Sequence, residues 1–281
     1  MSKYKEIENY YNQTQILYDL VYSKGTHSLH YGYWYENTKN TKESILNNNK
    51  FIMESLDANS NDKILDAGCG IGGISLYLAK HTNAKIEGIT LSEVQLKKAR
   101  KLADKFKFSK NINFSIQDYT KTEYNDKSFT KIFGVESICY ANKKIDFIKE
   151  AYRLLKKGGK LVVTDGFQIR EYLNKKENKI YDDWLGGWGL TNLATVNSFQ
   201  NDLKKIGFRK INYYDKLKDI KRTRNRIYNI GALAYVFSWI LYKLGIFSNY
   251  MHKNTIACIN QKKVFADENN IATYGVFVAE K

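Results

Sequence analysis

The 281-residue chain contains no proline and only three cysteines. Cys69, Cys139 and Cys258 are far apart and form no CxxC pair, which excludes a disulfide framework and a cysteine zinc site and fits a reducing compartment. No metal is expected. Internal repeats and low-complexity linkers are also missing, leaving one globular unit with room for a small cap. The first residues, Met1-Ser2-Lys3-Tyr4-Lys5-Glu6, are polar and charged rather than signal-like, so a cytoplasmic location is expected. Acidic side chains are scarce, giving a formal net charge of +16, yet lysine is spread along the chain as on a solvated surface. Basic residues are denser from Lys204 to Arg226, and an apolar stretch follows from Ile230 to Met251. That stretch is free of charge only from Ile230 to Tyr242, short of the roughly 20 residues a spanning helix needs. It is read as a cap helix over a greasy pocket, compatible with peripheral contact of the basic segment with an anionic membrane.

What is present is more specific. Ile64-Leu65-Asp66-Ala67-Gly68-Cys69-Gly70-Ile71-Gly72-Gly73 is a short apolar run ending in an acid and alternating glycines. It predicts a strand, a tight turn that a ligand approaches closely, and the start of a helix. No Gly-Lys-Ser/Thr follows, so a phosphate-cradling loop is excluded. Asp66 at the mouth would repel a pyrophosphate and suits an amino group or a positive charge. S-adenosylmethionine, with its ammonium and sulfonium, fits better than NAD. Downstream, strands at 85–90, 112–117, 131–135 and 160–165 alternate with helices at 92–108 and 145–155. Further strands fall at 208–214 and 274–279. The expected fold is α/β, a Rossmann-like, doubly wound, seven-stranded parallel sheet with helices on both faces. Gly158-Gly159 is expected to cap the helix at 145–155. Residues 1–58 form an aromatic N-terminal helical cap, 59–217 with 270–281 the core, and 218–269 an inserted apolar helical cap.

These motifs resemble the class I S-adenosylmethionine-dependent methyltransferases, in the branch of sterol and tocopherol C-methyltransferases and cyclopropane fatty acid synthases. The resemblance rests on Leu65 to Gly72, Gly88-Ile89-Thr90-Leu91-Ser92-Glu93-Val94-Gln95, Gln117-Asp118-Tyr119, Phe133 to Ala141, Leu154 to Leu161, the turn His30-Tyr31-Gly32-Tyr33-Trp34 and the C-terminal segment Tyr274 to Lys281. It implies a cofactor site of Tyr31, Asp66, Gly68, Gly70, Gly72, Thr90, Ser92, Gln95, Gln117, Asp118, Tyr119 and Val135. Thr90 stands where many relatives carry a ribose-binding acid. Thr90, Ser92 and Gln95 offer side chains that hydrogen-bond the same hydroxyls, and Asp118 would accept from the adenine amino group.

Methyl transfer is a displacement at an already activated carbon, so positioning and desolvation matter more than a catalytic triad. Glu136 is the leading candidate for a base or cation-stabilising group, because it follows a central strand where such folds bind ligands. Tyr140 and His30 are further catalytic candidates, though both have ordinary packing or hydrogen-bonding uses. The aromatics Tyr33, Trp34, Trp184, Trp188, Tyr235 and Trp239 are candidates for acceptor binding. Trp184-Leu185-Gly186-Gly187-Trp188-Gly189 is expected to be a loop that closes over the acceptor. The expected activity is methylation of a hydrophobic small molecule (isoprenoid, sterol-like or acyl), with C-methylation favoured. N- or O-methylation, cyclopropane synthesis and a non-catalytic S-adenosylmethionine- or lipid-binding module are the alternatives. A nucleic-acid partner is not expected: a chain without proline cannot carry an Asn/Asp-Pro-Pro-Tyr signature, and no RNA-binding module is evident.

Overall fold

The computed structural model describes residues 3–21, 25–267 and 270–281. Its centre is β1 (Lys63–Ala67), where Ile64, Leu65 and Ala67 are buried between helices on both faces of the sheet. Beside it lie β2 (Lys85–Thr90) and β3 (Ile112–Ile116) on one side, and β4 (Phe129–Val135) and β5 (Leu155–Gln168) on the other. These five strands are parallel. With β6 (Arg209–Asp215) and β7 (Ala272–Glu280) they form one seven-stranded sheet, in the order β3-β2-β1-β4-β5-β7-β6. The expectation of an all-parallel sheet is corrected at one edge: β7 runs antiparallel to both β5 and β6. Chain order reverses between β1 and β4, and in such sheets a crevice opens at the C-terminal strand ends of that switch point.

The helices are α1 (Lys3–Val21), α2 (Thr41–Leu56), α3 (Gly73–Thr82), α4 (Glu93–Lys105), α5 (Lys144–Leu154), α6 (Lys175–Trp188), α7 (Val196–Ile206), α8 (Lys221–Lys243) and α9 (Asn249–Val264). Among the described residues, none of them is long and apolar enough to cross a membrane. Ser92 caps α4 by accepting from the Gln95 amide. The sequence expectation that Gly158-Gly159 caps α5 is corrected. That helix ends at Leu154, the chain goes directly into β5, and Gly158 takes φ +75 within the strand.

Two larger corrections concern the cap. Residues 184–188 are not a loop but the last turn of α6, which begins with an Asn174–Glu177 capping box and ends at Gly189 with φ +69. Gly187 has a packing reason: a Cβ there would lie 2.3 Å from the Lys253 carbonyl oxygen on α9. α8 and α9 form a hairpin between β6 and β7, but the apolar half of α8 does not roof a pocket. Its side chains point outward.

Candidate active site

A cavity of about 200 Å³ opens at the C-terminal ends of β1, β2, β4 and β5. One end is the glycine turn. Asp66 closes β1, is buried, and accepts a 2.6 Å hydrogen bond from Ser75 Oγ on α3. Gly68 (φ +93) and Gly70 (φ +55) line the cavity. A Cβ on Gly68 would collide with Ser137, while nothing stands within 4 Å of one on Gly70. At the end of β2, Thr90 Oγ1 donates to Gln95 Oε1 at 2.9 Å and Ser92 Oγ donates to Asn12 Oδ1 on α1 at 2.8 Å. α1 therefore covers this end. Gln117, Tyr119 and Val135 complete it.

The other end is apolar and aromatic. Trp184, Trp188, Leu190, Leu193, Ile227 and Phe265 line it. The indole N–H groups of Trp184 and Trp188 are buried and meet no acceptor among the described residues. They are donors available to an oxygen on a bound molecule.

Between the ends stands Glu136, with a left-handed φ of +48 that is uncommon outside glycine and typical of functional sites. Its Oε1 accepts from the Tyr31 backbone N–H and from the Tyr274 phenol, each at 2.7 Å. Burial pushes the Glu136 carboxyl up to about 8, against those two bonds. Burial likewise raises Asp66 to about 7, against the Ser75 bond. It raises Asp165, at the end of β5, to about 6, although the Cys139 and Gly166 amides donate to it. Three buried carboxyl groups thus face one cavity, with the less buried Glu8 also in its lining, and no lysine or arginine lines it among the described residues. A bound cation would supply the missing compensation.

Of the expected site residues, Glu136, Tyr140, His30, Tyr31, Asp66, Gly68, Gly70, Thr90, Ser92, Gln95, Gln117, Tyr119, Val135, Trp184 and Trp188 line the cavity. His30 does so with both ring nitrogens engaged, Nε2 on Asn49 Oδ1 at 2.8 Å and Nδ1 against the Tyr31 carbonyl at 3.0 Å. It holds the aromatic turn to α2 and is a poor base, its pKa lowered by burial. Tyr140 donates to the Trp188 carbonyl at 3.0 Å, and shares a hydrogen bond with Tyr11.

Six expected residues lie outside the cavity lining. Gly72 lies behind the turn, where a Cβ would meet the Phe114 ring at 2.6 Å, so its glycine serves packing. Asp118 does not line the cavity: its Oδ1 accepts from the Thr120 amide and hydroxyl, fixing the turn after β3. Tyr33 is fully buried against Phe51 and Tyr274. Trp34 donates to Thr223 Oγ1 on α8. Tyr235 and Trp239 are exposed on α8, away from the cavity.

Sequence reasoning missed Asp165, Tyr11, Phe265 and the role of Tyr274. Asp165 had a signal, because it ends β5 as Glu136 follows β4. The others are brought in by α1, by the turn after α9 and by β7, and nothing local marks them.

Residues 58–210 match the family described as "Methyltransferase domain". A sterol 24-C-methyltransferase of Saccharomyces cerevisiae is 26% identical over 211 residues, covering 73% of this chain and 55% of the relative. The chain thus spans about half the length of that relative. Among solved structures, a cyclopropane synthase from Mycobacterium tuberculosis superposes with a TM-score of 0.84 at 13% identity, over 99% of this chain and 98% of the other. A geranyl diphosphate C-methyltransferase from Streptomyces coelicolor, solved with Mg2+, geranyl diphosphate and S-adenosyl-L-homocysteine, gives a TM-score of 0.74 at 18% identity, over 100% and 98%. At these identities the structural likenesses establish the fold.

Proposed function

The chain belongs to the methyltransferase-domain family, and from that premise we propose that it transfers the methyl group of S-adenosylmethionine to a neutral, hydrophobic small molecule. A sterol-like or isoprenoid carbon acceptor is favoured. The observation that carries this reading is the cavity itself: three buried carboxyl groups, no lysine or arginine among the described residues of its lining, and one apolar aromatic end.

Bound S-adenosylmethionine would supply an electrophilic methyl group on a positive sulfur. Asp66 and the Gly68–Gly70 turn suit its ammonium end, and Thr90, Ser92 and Gln95 suit its ribose hydroxyls. Gln117, Tyr119 and Val135 flank the place left for the adenine. α1 and the turn at Ser28–Tyr31 exclude water from this end. Glu136, its Oε1 fixed by Tyr31 and Tyr274, stabilises positive charge that develops on the acceptor and takes the proton released from it.

The acceptor class follows from charge. A diphosphate or carboxylate headgroup placed in this cavity would meet Glu136 and Asp165 without an arginine or lysine to offset them. Without a divalent cation such as the Mg2+ that accompanies geranyl diphosphate in the Streptomyces structure, a diphosphate is a poor fit, and a neutral skeleton carrying a hydroxyl or carbonyl for the two tryptophans is a good one. Such molecules reside in membranes, so a peripheral, cytoplasmic-side location fits. The test is incubation with isotopically labelled S-adenosylmethionine and separated neutral-lipid and acidic-lipid fractions. Label is expected in the neutral fraction; label confined to the acidic fraction would overturn the acceptor class.

A further inference from the structure

The outer face of α8 has no covering within the described chain. At 3.6 residues per turn, Leu233, Val236, Phe237, Ile240 and Leu244 fall on one stripe. Their exposure runs from 43% at Ile240 to 86% at Leu233, and Ile246 extends the stripe past the helix end. The opposite face already has its partner. Gly231 sits so close to α9 that a Cβ would lie 2.5 Å from that of Cys258, and Ser238 Oγ is 3.1 Å from His252 Nδ1. The stripe is therefore not a core face awaiting another part of this hairpin.

Charge identifies the occupant. The same stripe continues toward the helix start through Arg226 and Arg222, two and three turns before Leu233. Arg222 lies over the Trp34 ring, Arg226 donates to Thr41 Oγ1, and Lys243 stands over the Trp239 ring at the far end. From Lys221 to Ala266 there is no aspartate or glutamate but eight lysines and arginines; Lys221 and the buried Arg224 pair with Asp267, which leaves six. Two such hairpins meeting face to face would bring like charges together. An anionic surface would not. Trp239 flanks the stripe with an amphipathic ring, as on helices that lie in a headgroup layer, while Tyr235 and Tyr242 pack on His252 of α9.

We propose that α8 docks flat on an anionic lipid surface, with Leu233, Val236, Phe237, Ile240 and Leu244 in the acyl boundary and Arg222, Arg226 and Lys243 at the headgroups. This deepens the proposed function by naming the surface from which a membrane-resident acceptor is reached. Ile227 lines the cavity on the same helix, about 9 Å along its axis from Leu233 at 1.5 Å per residue.

The test is sedimentation of the full chain with vesicles of phosphatidylcholine alone and of phosphatidylcholine mixed with phosphatidylglycerol. Wild type is expected to bind the mixed vesicles far better, and less so in high salt. A Phe237→Glu/Ile240→Glu variant is expected to lose binding, with its melting temperature and S-adenosylmethionine affinity unchanged. Arg222→Gln and Lys243→Gln should each weaken binding to mixed vesicles by roughly fivefold. Wild type that ignores both vesicles overturns the proposal, as does equal binding by the double variant. So does a wild-type dimer in ultracentrifugation that the double variant dissolves, which would make the occupant a second copy. None of these readouts needs methyl transfer, so docking and the enzymatic reading can fail separately.

Discussion

The phenol of Tyr274, on β7, donates to Glu136 Oε1 at 2.7 Å across 138 positions of sequence. β5 lies between their strands, so the bond ties the two sides of the crevice together. It also lowers the Glu136 pKa against the larger effect of burial.

Replacing Tyr274 by Phe keeps the buried ring and removes that bond. The Glu136 carboxyl then moves further up, and the acidic limb of the kcat profile moves to higher pH. Affinity for S-adenosylmethionine should change little. A profile that does not move would take Glu136 out of the rate-determining chemistry.

Asp66→Asn should weaken S-adenosylmethionine binding by about 2–4 kcal/mol, the cost of removing one partner of a buried charge pair. The amide still accepts from Ser75 and carries no buried charge, so the free protein should melt no lower than wild type. Calorimetric titration with a thermal melt reads both; a lowered melting temperature with intact affinity would make Asp66 structural.

Raised carboxyl groups set the sign of the pH dependence. Asp66 at about 7, Glu136 at about 8 and Asp165 at about 6 hold protons in the free protein that an unfolded chain would release. Their contribution to stability is present below the ordinary carboxyl range and is lost as pH rises toward 8. A cationic ligand reverses this by favouring the ionised forms. Affinity for S-adenosylmethionine should therefore be full above about pH 8 and fall below it, by up to tenfold per pH unit for each proton displaced. Titration near pH 7 in buffers of different ionisation enthalpy should report proton release.

Gly187→Val should destabilise the protein by about 1–3 kcal/mol through overpacking of α6 on α9, where a Cβ meets the Lys253 carbonyl. Gly186→Ala is the control. A Cβ there meets nothing within 4 Å, and the change should stabilise the helix by up to about 1 kcal/mol. Equal melting temperatures for the two variants would restore the idea of a mobile glycine loop.

Trp184→Phe keeps an aromatic ring in the cavity and removes one N–H donor. For an acceptor that bears oxygen, KM should rise by about the worth of one hydrogen bond, 0.5–1.5 kcal/mol, with kcat nearly unchanged. An acceptor with no oxygen should show no such rise.

The glycine-turn end of the cavity was largely legible in the sequence because its signal is local. Asp66, Gly68 and Gly70 lie within five residues, and Thr90, Ser92 and Gln95 within six, each group on one strand end and the turn after it. Gly72 and Asp118 show the limit of that reading, since a motif does not say which members face the cavity. Phe114 and Thr120 decide those positions.

The apolar, aromatic end of the cavity was not legible, because its residues come from distant elements. Trp184 and Trp188 were singled out for the wrong reason, as a loop, since glycine content conceals a helix held by packing on α9. Tyr235 and Trp239 were assigned to the cavity because an apolar helix has no sequence mark for which face is inward. The sequence by itself determined the α/β alternation, the glycine turn and the acid at its mouth, all set by backbone conformation and short-range chemistry. Only the tertiary structure decided the antiparallel β7 that carries Tyr274 to Glu136, the three carboxyl groups around one cavity and the outward turn of α8. Those depend on which surfaces are buried together, and burial belongs to the folded chain as a whole.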